Sequence, residues 1–319
     1  MLTLSRPYKR HTTRQVFLLD KIREYKLWFL NALIRVSPMS YSSASTQPVW
    51  CWRDGTRRAA LDELAEEIPV AIEYNATPFA VMMASPADLD DLALGFTLSE
   101  GIARQDQYES VQTWVGSSSA RLAIEIATPA LEPLLALRQR NLVGRSGCGL
   151  CGTESLPGVL RPLPDLRGRG PRLGTEAIER ALTELEPLQA LRNRTGATHA
   201  AAWCQPDGRI CCVREDVGRH NALDKLIGAL AARGTDPASG FALVSSRASF
   251  EMVQKAATFG ITVLVAVSAP TKLGVSLANQ CGQTLIGFAR GRSFTAYSAA
   301  GRIAALEPIY TSLTAPIDN

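Results

Sequence analysis

The spacing of apolar residues predicts a first region of mixed strands and helix. Apolar residues dominate two short runs, 69–74 and 78–83, and the turn signal at 74–77 separates them, which predicts a hairpin. A helix is predicted next, because Pro86 suits a first helical turn and nearby aspartates favour the positive end of the helix dipole. Its apolar face consists of Leu89, Leu92, Ala93 and Phe96, and it should end near Gly101.

The last third of the chain shows a regular alternation of strand-like and helix-like segments. This alternation is typical of an open α/β sheet, in which ligands bind beyond the carboxyl ends of the strands. Two such corners are predicted, at 245–249 and 268–271. The predicted strands are 241–246, 261–268 and 284–290, and the predicted helices are 250–259 and 271–281.

These patterns predict an α/β fold class with two domains. Residues 47–135 form an α+β N-terminal domain with further strands near 111–115 and 122–126, and residues 136–305 form the α/β second domain. Residues 1–46 are expected to be a poorly ordered basic extension with a possible start at Met39, and residues 306–319 a tail. Residues 161–174 hold four arginines, three prolines and three glycines, which suggests a flexible surface connection.

Charge and cysteine usage narrow the class of protein. The first 38 of the 319 residues carry a net charge of +6, so the remainder is at −2 and lacks the basic surface of a nucleic-acid binder. No uncharged apolar run reaches the length of a signal peptide or membrane span. Seven irregularly spaced cysteines do not suit a disulfide scaffold, so we expect a cytoplasmic protein without nucleic-acid or membrane partners.

A glycine-rich loop carries the strongest chemical signal. Cys148 and Cys151 form a C-x-x-C motif with glycines at 144, 147, 149 and 152, which free backbone N–H groups to face a sulfur atom. Together with Arg145 they favour the reactive thiolate. Half of a zinc ribbon and a thioredoxin-type dithiol are the alternatives. No second cysteine pair with zinc spacing exists, and the loop does not open a helix after an early strand.

Histidines provide candidate acid–base groups. A helix is expected to open with Glu215 and Asp216, and its periodicity places His220 and Asp224 on one flank, where the carboxylate could tune the histidine. A structural histidine fits this spacing equally well. His199 stands among small residues, where a core or hinge role is as plausible as a chemical one.

Two further segments suit a phosphate ligand. Ser246 and Arg247, before a predicted helix at 250, offer a hydroxyl, a guanidinium and helix N–H groups, although helix capping alone would also explain the serines. The second segment adds an aromatic face, two arginines and a glycine turn, and its alternative is an ordinary hairpin with solvated arginines. It consists of Phe288, Ala289, Arg290, Gly291, Arg292 and Ser293.

Taken together, several motifs resemble the formate dehydrogenase accessory sulfurtransferase (FdhD) family. The resemblance covers roughly residues 47–300. It rests on GRSGCGLCG (144–152), TGATHA (195–200), REDVGRHNALDKL (214–226), SSRASFEMVQK (245–255) and VSAPT (267–271), and ALGFTLSEGI (93–102) extends it into the first domain.

The resemblance implies a fold and a function. The second domain should resemble cytidine deaminases, although the deaminase zinc signatures are missing. The protein should accept persulfide sulfur from a cysteine desulfurase and deliver it to the bis-molybdopterin guanine dinucleotide molybdenum cofactor, a client that it does not hold permanently, for the formate dehydrogenase catalytic subunit. Cys148 matches the persulfide cysteine, Cys151 is secondary, and His220 is a possible assistant. Residues 288–293 match the cofactor-binding segment, and a homodimer is expected.

Two other functions stay open at the level of sequence. A binding module that only escorts the molybdenum cofactor needs the ligand site but no reactive thiol. A zinc-stabilised structural protein needs the cysteines but no sulfur transfer. The sequence offers no metal-ligand set beyond the one C-x-x-C motif, and we therefore expect no metal site.

Overall fold

The computed structural model describes residues 42–130 and 160–306. The first of these ranges contains six strands and one long helix. In order these are β1 (Ala44–Arg53), β2 (Thr56–Ala65), β3 (Ile68–Tyr74), β4 (Thr77–Ala84), α1 (Leu89–Ser99), β5 (Tyr108–Val115) and β6 (Ala120–Ile126).

The first domain consists of a two-stranded ribbon and a four-stranded sheet. Strands β1 and β2 pair with each other alone, and the sheet has the order β4-β3-β6-β5. Every second side chain of β3 points into the core. Leu92 and Phe96 of α1 pack against this buried face of the strand. The predicted hairpin at 69–83 is confirmed as β3–β4, and the helix predicted after Pro86 is confirmed as α1.

The second described range, called the second domain below as 42–130 is called the first, contains six strands and five α-helices. They are α2 (Thr175–Leu188), α3 (Ala190–Thr195), β7 (His199–Cys204), β8 (Ile210–Asp216), α4 (Arg219–Ala232), β9 (Phe241–Val244), α5 (Phe250–Phe259), β10 (Val263–Ala266), α6 (Lys272–Cys281), β11 (Thr284–Arg290) and β12 (Ser293–Ser298).

These strands form one mixed sheet with helices on both faces. The order is β12-β11-β10-β9-β7-β8, and three successive crossovers through α4, α5 and α6 join strands that run in the same direction. Because side chains alternate along each strand, Val244 and Leu264 pack under the crossover helices, whereas Leu243 and Val265 pack under α2. The predicted α/β class is therefore confirmed.

Two expectations about local structure are wrong. Glu215 and Asp216 lie at the end of β8, opposite residues of β7, and α4 begins only at Arg219. The segment 161–174 is also not a loose connection in its described part, because Leu166 and Leu173 are fully buried and Leu173 bridges to Ile303.

The two domains are joined by a close helix crossing. A Cβ atom added to Gly95 of α1 would lie 1.7 Å from the carbonyl oxygen of Asp224, and one added to Gly228 of α4 would lie 1.9 Å from that of Asp91. Glycine is therefore required on both sides for the helix backbones to touch. The predicted domain boundary at 135/136 lies outside the described residues, and β1 begins at Ala44, just before the expected end of the basic extension. No described helix is long and apolar enough to span a membrane.

Candidate functional site

The candidate site is the edge of the six-stranded sheet at which β8, β9, β10 and β11 end. Helices α4, α5 and α6 start there, so the positive ends of three helix dipoles face the same edge. The N-cap residues of α4 and α5, Gly218 and Ser249, provide no side-chain cap, whereas Thr271 caps α6 by accepting a hydrogen bond from Gly274. The first N–H groups of α4 and α5 are therefore available to an anion.

His220 stands in the first turn of α4, at this edge. Its Nε2 atom lies 3.0 Å from Oε2 of Glu251, at ion-pair distance but without the alignment of a hydrogen bond, and both side chains are largely buried. Burial alone would raise the pKa of Glu251, but contacts with His220 and Ser249 hold this pKa below its ordinary value. The expected pairing of His220 with Asp224 is wrong, because Asp224 binds Lys255 instead.

His199, the first residue of β7, faces the same cluster. Burial lowers its pKa, and the positive charges of Arg219, Arg192 and Arg247 lower it further. The sequence left open whether His199 has a core, hinge or chemical role, and its position at this edge favours the chemical one.

Three buried polar atoms at this edge have no hydrogen-bond partner among the described residues. They are Nε of Arg219, Oε1 of Glu251 and Nε2 of His220, of which the last lies at ion-pair distance from Glu251. Buried polar atoms are almost always hydrogen-bonded, so several open ones at one edge indicate a place that a ligand or water completes. Neither Arg219 nor Glu251 was predicted individually from the sequence. Their signal was their position in the first turn of a helix that follows a strand, Arg219 directly after Gly218 and Glu251 two residues after Ser249.

The predicted corner after β9 lies at the edge as expected. Ser246 is buried and donates a hydrogen bond to the carbonyl oxygen of Arg247, while the Arg247 side chain is exposed. Ser245 accepts a hydrogen bond from the N–H of Ala200 at 2.9 Å, which ties β9 to β7. Arg247 is therefore the residue of this corner that can reach a ligand, and the serines hold the corner in shape.

Phe288 reaches the same edge through an irregularity in β11. The register between β11 and β12 shifts between Gly287 and Arg290, and Phe288 has a φ of 52°, a left-handed conformation that costs a bulky residue energy. Its ring is 47% exposed although large aromatic side chains usually pack inside. The bulge thus aims an aromatic face outward, beside the corner between β10 and α6, where Phe288 donates its N–H to Ser268.

The rest of the predicted segment lies further along the hairpin. Ala289 is buried in the core under α2, and Arg290 pairs with Ser293 across the turn of Gly291 and Arg292. Arg292 is 86% exposed and lies 3.5 Å from Glu179 of α2. Phe288 is therefore the one of the six residues whose backbone bonds to the corner after β10, and the others follow along the hairpin.

Cys148 and Cys151 lie outside the described residues. Among the residues that are described, no group of three or more His, Cys, Asp or Glu side chains is arranged to hold a metal ion.

Several residues of the 214–226 motif hold the elements next to the site in place. Glu215 accepts hydrogen bonds from the N–H groups of Leu191 and Arg192 at the start of α3. Asp216 binds Lys225 at 2.7 Å, and both side chains are completely buried. Lys225 in turn donates to the carbonyl oxygen of Ser85, so this pair fastens the first domain to the second.

Lys255 of α5 forms a second buried cluster between the domains. It lies 2.8 Å from Asp224 and 2.6 Å from Glu100, and it donates to Ser99 at 3.1 Å. Burial opposes the charge on Lys255, yet the two carboxylates raise its pKa above the ordinary value. The lysine is therefore held as a cation and acts as a bridge between α1, α4 and α5.

Comparison with known proteins gives consistent matches. The family model described as FdhD/NarQ matches residues 65–304. The sulfur carrier protein FdhD of Cupriavidus necator is 50% identical over 260 residues, which cover 81% of this chain and 90% of that protein. The protein of the same name from Xanthomonas campestris pv. campestris is 51% identical over 254 residues, covering 79% of this chain and 89% of the relative.

A crystal structure shares the fold. It is described as a formate dehydrogenase accessory protein from Desulfotalea psychrophila, and it aligns with a TM-score of 0.64 at 23% identity. The alignment covers 82% of this chain and all of the other.

Proposed function

Because this chain belongs to the FdhD/NarQ family, we propose that it carries sulfur to the molybdenum cofactor of a formate dehydrogenase. In this proposal Cys148 accepts sulfane sulfur from a cysteine desulfurase, and the edge of the six-stranded sheet holds the guanine dinucleotide of the bis-molybdopterin cofactor. The molybdenum cofactor is cargo and not a resident group. The names of the relatives, sulfur carrier and formate dehydrogenase accessory protein, support this reading.

The sulfur step is an exchange between thiols. The Cys148 thiolate attacks the terminal sulfur of the desulfurase persulfide, the donor S–S bond breaks, and a new S–S bond forms on Cys148 while the donor leaves as a thiolate. No outside oxidant or reductant is needed. Release of the sulfur as sulfide requires two electrons, and Cys151 can supply them by attacking Cys148 and closing a disulfide.

One observation carries the nucleotide part of the proposal. Two uncapped helix N-termini, the open Nε atom of Arg219 and the exposed Arg247 share one edge with the outward face of Phe288. Helix N–H groups and guanidinium groups bind phosphate, and an aromatic face stacks on a base. The edge therefore offers partners for both halves of a guanine nucleotide.

The residues of the edge also suit proton handling. His199 has a lowered pKa and so stays neutral near pH 7, when it can accept a proton from a ligand or thiol. Glu251 stays ionised beside His220 and can fix the orientation of that ring. We propose that His220 assists the transfer from this position, and that the protein acts in the cytoplasm as a homodimer that meets the desulfurase and the formate dehydrogenase catalytic subunit in turn.

The sulfur step is tested by intact mass. Full-length protein incubated with a cysteine desulfurase and cysteine should gain the mass of one sulfur, and reductant should remove it. Cys148→Ala should lose the gain and fail to mature formate dehydrogenase, whereas Cys151→Ala should keep the gain but deliver less sulfur. Full dehydrogenase activity with Cys148→Ala would instead support a cofactor escort without sulfur chemistry, and the reverse pattern of the two variants would exchange their roles.

The nucleotide step is tested with GDP as the probe. At about 100 times its dissociation constant, GDP should raise the stability of the chain by roughly 2.7 kcal/mol. Arg219→Ala and Arg247→Ala should each weaken binding about tenfold, since each removes a charged hydrogen bond worth about 1.5 kcal/mol or more. Arg58→Ala, on an exposed strand of the ribbon, is the matched control and should bind GDP normally. Equal affinity in all four proteins would place the nucleotide elsewhere.

A further inference from the structure

A second concave surface lies at the opposite end of β11. It forms a cleft of about 540 Å³, a volume within the range of small-molecule sites. Gly282, which lines the cleft, is six positions before Phe288, and most of this stretch belongs to β11, so the two sites are up to roughly 20 Å apart at about 3.3 Å per residue. Four arginines line the cleft: Arg167, Arg169, Arg172 and Arg302.

Arg302 holds this cleft together. Its guanidinium donates hydrogen bonds to the carbonyl oxygens of Arg169, Gly282 and Leu166 and to the hydroxyl of Thr284. All four acceptors are neutral. Arg302 is partly buried, and no carboxylate among the described residues pairs with its guanidinium group.

Arg167 lies over the C-terminal end of α6. It donates to the carbonyl oxygen of Gln280 at 2.8 Å and pairs with Asp165 at 3.1 Å. Gly282 makes this approach possible, because a Cβ atom there would lie 2.5 Å from Cγ of Arg167. The glycine and the arginine thus build one wall of the cleft together.

The balance of charge in the cleft is positive. Within the described residues, Arg167, Arg169 and Arg302 together contact a single carboxylate, that of Asp165, and the exposed Arg169 side chain makes no hydrogen bond or ion pair. Gly168 and Gly170 flank Arg169 with positive φ angles of 69° and 88°. Their N–H groups donate no hydrogen bond in the part of the chain that the structure describes, so backbone donors add to the guanidinium groups.

We propose that this arginine cleft binds a small phosphorylated anion. Guanidinium groups match the geometry of phosphate oxygens, and the cleft combines an excess of them with open backbone N–H groups. The site is separate from the strand-end edge and does not depend on the function proposed for that edge. A diphosphate group, free or as part of a larger molecule, has the negative charge and the oxygen acceptors that these donors bind.

Calorimetric titration of the full chain with inorganic pyrophosphate tests the proposal. Arg169→Glu should weaken binding at least tenfold, because it reverses a charge in the cleft that supports no described contact of its side chain. Arg58→Glu makes the same charge change on the ribbon and should weaken binding less than twofold. Circular dichroism melting of both variants should match the unchanged protein, because both side chains are exposed.

Two further results decide the outcome. Normal pyrophosphate binding by Arg169→Glu would overturn the proposal. Citrate, an anion of similar charge with carboxylates in place of phosphates, should bind at least tenfold more weakly. Equal binding of citrate, or equal losses in the Arg169 and Arg58 variants, would show a general charge effect and would also overturn it.

Discussion

The interface between the two domains and the strand-end edge use the same kinds of side chain for different purposes. At the interface, Lys225 and Lys255 are buried and each ammonium group has a carboxylate oxygen within 2.8 Å. At the edge, His199 and Arg219 are only partly buried, and Nε of Arg219 has no partner among the described residues. Completed charge networks fix the arrangement of the domains, and open ones are left for a ligand.

The two regions are also adjacent in sequence. His220 and Asp224 are one helical turn apart on α4, yet one belongs to the edge and the other to the interface. Their neighbours explain the difference, because the start of α4 faces the strand ends while the following turn crosses α1. Whether a charged residue of this helix stabilises the fold or faces the candidate site therefore depends on the element that packs against it.

The largest expected effect is the loss of stability when a buried ion pair of the interface is broken. Lys225→Met keeps the volume of the side chain but leaves Asp216 as a buried charge without a cation, which should lower the free energy of unfolding by about 3–5 kcal/mol. The matched change at the edge, Arg247→Met, should alter it by less than about 0.5 kcal/mol, because that side chain is exposed. Urea unfolding of both variants measures the difference, and similar losses would remove the distinction between the regions.

An effect of intermediate size on stability is expected when the pH is lowered. Because the pKa of His199 is lowered on folding, the unfolded chain binds a proton more readily below about pH 6.5, so stability should fall as the pH drops through that value and level off below the folded pKa. His199→Gln should remove this part of the acid loss. NMR titration should show the His199 pKa rising when GDP binds or when Arg219 is replaced by Ala. A pKa insensitive to both would contradict a shared cluster.

The smallest effect is expected in the hairpin turn. Arg292→Ala removes a largely exposed pair with Glu179, which should change stability by at most about 1 kcal/mol. If only the strand-end part of segment 288–293 serves the nucleotide, this variant should bind GDP within twofold of the unchanged protein, whereas Phe288→Ala should bind clearly more weakly. A tenfold loss in Arg292→Ala would extend the site along the hairpin.

The sequence by itself determined the order of the elements from β3 to β6 and from β9 to β11. Alternating apolar residues marked β3 and β4, and turn and capping residues marked the bounds of α5 at 250–259, because these signals act between near neighbours in the chain. It also placed Arg247 and Phe288 at helix and strand ends. Six motifs taken together identified the family, and one of them, the glycine-rich loop at 144–152, lies outside the described residues.

Only the tertiary structure decided which charged groups meet. Helical spacing suggested that His220 would contact Asp224, but contact with Glu251 and Lys255, which come from another helix, separated the two. The start of α4 was predicted too early for the same reason, since pairing with β7 extends β8 to Asp216. The composition of 161–174 predicted a flexible surface connection, yet hydrogen bonds to residues more than 100 positions away organise this segment into a cleft. Such partners are set by the path of the whole chain, which local sequence patterns do not contain.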